Sequence, residues 1–188
     1  MTFQMSVRCR NAGLNAYEAA IGTSPTLKIF GGPTGATMPA NVTVADAGTV
    51  LATMALPPDW MSDAANGQKS LTGTWQDVAA DASGYAAYVR VYASDGACDW
   101  QFLVGQQWQA NTLYAVGQQV YNGSNTYRCT TAGTSAASGG PTGAGTGIAD
   151  NGAVWSYIGT KTGQMDNTSI ALGQQVTCPT FTLTAGNA

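Results

Sequence analysis

The sequence predicts an all-β fold: an antiparallel β-sandwich, jelly-roll-like, with one N-terminal helix and a small inserted β module. Three observations point there. Short runs rich in Val, Tyr, Thr and Phe alternate with Gly, Pro, Asn and Asp along most of the 188 residues, the rhythm of short strands and turns. A single segment near the start carries the three- and four-residue apolar spacing of a helix. No strand–helix–strand rhythm recurs, so a parallel sheet is not expected.

The helix is Val7–Ile21, with Leu14, Tyr17, Glu18 and Ile21 recurring along one face and Gly22 as its stop. Thr26–Phe30 is the first strand, ended by Gly31, Gly32 and Pro33. The next stretch reads as loop, with a short extended piece at Asn41–Val44, before a second strand at Val50–Leu56 that Pro57-Pro58 stops. A turn follows at Asn66-Gly67. From Lys69 the pattern is β throughout: KSLTGTWQDVAA, then GYAAYVRVYA, a turn at Ser94-Asp95-Gly96, and ACDWQFLVG. In the second run Tyr88, Arg90 and Tyr92 share one face and Val89 and Val91 the other. Asp-Gly between two such runs signals a hairpin. Near the C terminus, strands are expected around Thr168–Ala171 and Val176–Thr184, separated by a turn at Gly173.

Between the hairpin and those last strands lies an aromatic-rich unit. The reading is of a host formed by residues 1–106 and 160–188, interrupted by a module at 107–159. Insertion at an exposed turn costs little, because loop-closure entropy grows slowly with length. The module carries Trp108, Tyr114, Tyr121, Tyr127, Trp155 and Tyr157, and its central tract TTAGTSAASGGPTGAGTGIA has no periodicity and reads as loop. So small a unit cannot bury six large rings. Tyr114, Tyr127 and Trp155 are expected to form its core. Trp108, Tyr121 and Tyr157 are expected to be at least partly exposed, suited to the apolar faces and hydroxyl rims of sugars or to a flat protein contact.

Composition narrows the chemistry. Charged residues are 9% of the chain against 44% apolar, and the net charge is −3. The bases Arg8, Arg10, Lys28, Lys69, Arg90, Arg128 and Lys161 are scattered, so no nucleic-acid groove is expected. No apolar run reaches the roughly 20 residues of a membrane span, and the first residues lack the apolar centre of a secretion signal. Cys9, Cys98, Cys129 and Cys178 form no CxxC pair and are expected to be free thiols. With no histidine, Ser–His–Asp and Cys–His catalysis are excluded. Glu18 is the one glutamate, and the aspartates, Asp95 and Asp150 among them, sit in turn contexts that read as solvated carboxylates. GGPTGAGTG lacks the GK[ST] of a phosphate loop. The expectation is a protein that is not an enzyme and uses no metal or cofactor.

At the aromatic unit, WQANTLYAVGQQVYNGSNTYRC and its continuation to DNGAVWSYIG resemble small chitin-binding-like carbohydrate modules that recur in virion proteins of tailed bacteriophages. RNAGLNAYEAAIGTSPTLKIFGGP, ADAGTVLATMAL, ASGYAAYVRVYASDGACDWQFLVG and MDNTSIALGQQVTCPTFTLTAGN are similar to a family of small, β-rich virion structural proteins with one N-terminal helix. In that pattern the arm ending at Gly105 runs almost directly into MDNTSIALGQ, and this chain departs from it by carrying the module there. The resemblance implies a virion protein at the particle surface, made in the bacterial host cytoplasm. It would be a capsid decoration or cement protein or, alternatively, a tail or baseplate receptor-binding component. The implied partners are the major capsid protein or tail proteins, further copies of this chain in a homo-oligomer, and bacterial surface glycans met through Trp108, Tyr121 and Tyr157.

Overall fold

The computed structural model describes residues 4–186. Strands make up 43% of the chain and helix 8%, so the fold is mostly β with one N-terminal helix. Helix α1 (Val7–Ile21) starts where Ser6 Oγ accepts the Cys9 amide at 3.2 Å and stops where Gly22, at φ 83°, donates to Glu18 O at 2.8 Å. A left-handed residue at that stop favours glycine. Its buried residues are Leu14 and Ile21, while Tyr17, expected on the same face, is 54% exposed. Polar anchors seat the helix instead. Glu18 pairs with Lys69 Nζ at 2.6 Å, and Lys69, itself 2% exposed, also donates to Asn15 Oδ1 at 2.8 Å.

The strands before the aromatic unit are β1 (Thr26–Gly32), β2 (Thr49–Ala55), β3 (Gln68–Ser70), β4 (Trp75–Asp77), β5 (Gly84–Tyr92) and β6 (Cys98–Gln107). Within the unit run β7 (Leu113–Tyr114), β8 (Gln119–Asn122), β9 (Asn125–Thr131), β10 (Gly133–Thr134), β11 (Ile148–Asp150) and β12 (Ala153–Thr160). The chain ends with β13 (Gly163–Met165), β14 (Ser169–Ile170), β15 (Val176–Cys178) and β16 (Thr182–Thr184). Ten strands form one sheet in the order β11-β12-β9-β8-β6-β5-β1-β2, with β13 on β6 and β14 on β5. The pairs β10·β7, β15·β4 and β16·β3 stand outside it.

The sheet is mixed, which corrects the antiparallel expectation. β5 and β6 pair only through Tyr88–Tyr92 and Cys98–Leu103, so the last residues of β6 run on with backbone groups to satisfy. β8 takes Gln106 and Gln107, and β13 takes Val104 to Gln106, both in parallel. The intervening chain leaves β6 and comes back beside it in the same direction, which local sequence pattern does not report.

β5 is buried on both faces. Val89 and Val91 join the main cluster with Leu27, Ile29, Leu51, Met54, Trp60 and Trp75. On the other face Tyr88 stacks on Phe30 at 5.0 Å, and Arg90, 1% exposed, gathers the 39–47 loop. Its guanidinium donates to Val44 O, Asp46 Oδ1, Asn41 O and Gln101 Oε1 at 2.7–3.1 Å. The extended piece expected at Asn41–Val44 is accordingly a turn, in which Asn41 Oδ1 accepts from the Thr43 amide and hydroxyl at 3.0 and 2.7 Å.

Both ends of the sheet are blunted. At β2 the Thr53 amide donates to Asp77 Oδ2 and Leu51 O accepts the Asp81 amide, each at 2.8 Å. At the far end β11 is only three residues long. Short or side-chain-capped edges resist strand addition. Over the main cluster, Phe181 packs on Trp75 at 5.4 Å and on Phe102 at 5.9 Å, tying the β3, β4, β15 and β16 pairs to the sheet face.

Candidate functional site

Residues 107–159 are seated on the rest of the chain at several points. Gly117, at φ 93°, lies so close to Thr34 and Gly35 that a Cβ would collide with their backbone. Arg128 Nη1 donates to Ala36 O and Thr37 Oγ1, both at 3.1 Å. Buried Gln119, with its amide nitrogen turned to satisfy both contacts, donates to Ala87 O at 3.0 Å and Val104 O at 2.8 Å. With the β6·β8 pairing, these contacts fix the unit's orientation.

Inside the unit, Tyr114, Tyr127 and Trp155 are 0–1% exposed and share a cluster with Val120, Cys129 and Ala153. Tyr114 meets Trp155 edge-on at 5.0 Å and 71°, the geometry the ring quadrupole favours. Beside them is Asp150, which is not the solvated turn carboxylate its neighbours implied. It is 4% exposed, and its Oδ2 accepts the indole N–H of Trp108 at 2.8 Å and of Trp155 at 3.0 Å. Its Oδ1 accepts the Ala136 amide at 2.9 Å. The sequence signal available was that Asp150 is the one carboxylate in residues 107–159, and it takes the fold to bring the donors to it.

Trp108 and Tyr157 are half-buried, whereas Tyr121 is 3% exposed, which corrects its expected exposure. The Tyr121 ring is covered by Lys161, whose Nζ stands 3.8 Å from its centroid. Tyr157 lies edge-on to Tyr127 at 6.1 Å. The three rings therefore do not form one exposed platform.

Trp108 instead belongs to a shelf with Asn122, Asn125 and the Tyr127 hydroxyl, and the glycine-rich strap 139–147 lies across it. Asn122 Nδ2 donates to Gly139 O at 2.6 Å and Pro141 O at 3.2 Å. The Tyr127 hydroxyl and Asn125 Nδ2 donate to Gly143 O at 2.9 and 3.4 Å, and the Tyr157 amide to Gly145 O at 2.9 Å. A Cβ on Gly140 would come within 2.9 Å of Trp108 Cδ2 and 3.1 Å of Cε2. Those are the ring-fusion atoms, reached from the face of an indole, so the Gly140 backbone covers that face.

Burial is also the main electrostatic influence. It pushes the Tyr121 hydroxyl above the usual tyrosine range, with the Asp166 charge adding to the effect, and it raises Tyr114 likewise. Burial raises the Cys98, Cys129 and Cys178 thiols too, keeping them protonated and weakly nucleophilic. All four cysteines are unpaired, Cys9 at the surface. Among the described residues no three His, Cys, Asp or Glu side chains gather as metal ligands, and no helix is long and apolar enough to cross a membrane. A cavity of about 520 Å³ lies between the sheet face and residues 162–182. Its floor residues Leu27, Ile29, Met54, Val89 and Val104 are each at most 4% exposed, so the open space follows the rim formed by the 162–182 segment.

No protein-family model, curated protein or solved structure matches this chain.

Proposed function

We propose that the chain is a non-enzymatic virion structural protein of a tailed bacteriophage, a capsid decoration or cement protein made in the bacterial host cytoplasm and carried on the particle surface. The observation that carries this reading is the fixed seat of the aromatic unit on its host. One sheet runs through both parts, Gln119 and Arg128 bridge them, and the sheet ends are blunted against strand addition. Such a body displays a recognition unit at a set angle and meets its neighbours through faces and loops. Many weak contacts, to the major capsid protein and to copies of itself, then add up through multivalency. The likeness of the host segments to small virion proteins points the same way. In this reading the host is a jelly-roll-like sandwich, with the β3, β4, β15 and β16 pairs as its second layer, and residues 107–159 are an insertion.

Glycan contact in this reading falls to Trp108 and Tyr157, with Tyr121 supporting from beneath Lys161. The shelf also favours a second reading, a tail or baseplate receptor-binding component, for which recognition would be the main task. A low-resolution density map of purified particles separates the two. Copies spread over the head lattice, with capsids lacking the chain losing heat resistance, support decoration. Copies confined to the tail overturn it in favour of the second reading.

A further inference from the structure

The strap does to the shelf what a sugar would do. A pyranose ring offers an indole its C–H face and offers amide donors its oxygens. Gly140 sets its bare Cα against the Trp108 face, and the carbonyls of Gly139, Pro141 and Gly143 take the N–H and O–H groups of Asn122, Asn125 and Tyr127. Gly139, Gly140 and Gly143 all lie at positive φ, 91°, 72° and 84°, a run that glycine tolerates and other residues resist. Residues 142–147 are exposed, and Pro141 is the strap's buried side chain, so few apolar contacts hold it down.

We propose that the 139–147 strap is an autoinhibitory cover, occupying with its own backbone a glycan-binding shelf made of Trp108, Asn122, Asn125 and Tyr127. This rests on the glycan-contact reading of the unit. The ligand class follows from what the strap supplies. Every one of its accepting groups on the shelf is an amide carbonyl, so an uncharged, N-acetylated polysaccharide replaces them like for like, its acetamide oxygens on the asparagines and a pyranose face on Trp108. Displacement then exchanges one set of hydrogen bonds for another, and the site's apparent affinity is set by how often the strap is open.

Two substitutions in the strap open it while leaving every shelf residue unchanged. Gly140→Ala places a methyl against Trp108 at a left-handed position, and Gly143→Val strains a left-handed position that faces open space. Acrylamide quenching of tryptophan fluorescence in the full chain reports opening as the rise over the parent chain, because Trp60, Trp75 and Trp155 are 0–1% exposed and half-buried Trp100, packed against Trp60, gives the same background in parent and variants. Co-sedimentation with colloidal chitin reports binding. The expected result is stronger quenching in both variants, with retention on chitin rising about tenfold, the factor lost by a site open one-tenth of the time. Adding Trp108→Ala to either variant should abolish the gain. If quenching rises while parent and variants are both retained on chitin to the same extent, the strap is not inhibitory. If quenching rises and neither parent nor variants are retained, the glycan reading itself falls. Unchanged quenching in both variants shows a strap indifferent to its glycines and overturns the cover.

Discussion

Without the Asp150 carboxylate, two indole N–H groups and the Ala136 amide would converge on one place with nothing to accept them. Each buried donor left unsatisfied costs about 1–3 kcal/mol. Asp150→Ala is therefore expected to lower unfolding free energy by about 3 kcal/mol in urea titration. Asp150→Asn, which keeps an oxygen for the indoles but turns an N–H₂ toward Ala136, should lose less. Tyrosines give a second prediction. Burial raises Tyr88, Tyr92, Tyr114 and Tyr121 above the ordinary value near 10, with Asp46 adding to the rise at Tyr92. A group whose folded pKa is raised contributes stability that is complete below its unfolded pKa and vanishes as pH climbs through the folded one. Melting temperature should hold to about pH 9 and fall beyond about pH 10, with these phenols ionising only as the protein unfolds. Ultraviolet titration at 295 nm that ionised all eight tyrosines before unfolding would contradict this.

At the level of elements, α1 and the β5–β6 hairpin were legible because their signals are local. Helical spacing with a glycine stop, and alternating faces around Asp-Gly, need no distant partner to be read. The alternation of Tyr88, Arg90 and Tyr92 against Val89 and Val91 holds, but both faces are covered, since Arg90 collects carbonyls from a loop more than 40 residues upstream. The burial of Tyr121 is not legible locally for the same reason: Lys161, 40 residues later, covers it. The helix's docking charge is testable. Lys69 is buried and its counter-ion is Glu18, so Glu18→Ala strands a charge and is expected to cost about 3 kcal/mol. The double replacement Glu18→Leu with Lys69→Met removes both charges and should come within about 1 kcal/mol of the parent chain in the same denaturation experiment. A double variant as unstable as the single one would show that the loss comes from the missing pair itself and not from a stranded charge.

For the whole molecule, the hydrophobic clusters bear on where the sequence can be cut. The cluster of Tyr114, Val120, Tyr127, Cys129, Ala153 and Trp155 draws only on residues 108–157, while the main cluster draws on none of them. The parallel pairings at β6 could not be read from sequence, because they join segments whose adjacency depends on the entire path between them. Those pairings also set the geometry of an excision. β13 begins opposite Val104, three residues back from the end of β6 at Gln107. At about 3.3 Å per residue along the strand and about 5 Å across, a replacement linker has to span about 11 Å. Six Gly or Ser residues in place of 108–161 reach that far with slack. The shortened chain keeps every side chain of the main cluster, but loses Gln119 from the Ala87 and Val104 carbonyls and uncovers the Thr34–Gly35 turn. It is expected to unfold in one cooperative transition at a lower midpoint than the parent chain, with far-ultraviolet circular dichroism still that of a β protein. A chain that populates no cooperative fold after excision would mean that 107–159 is part of the host's own core and not an insertion.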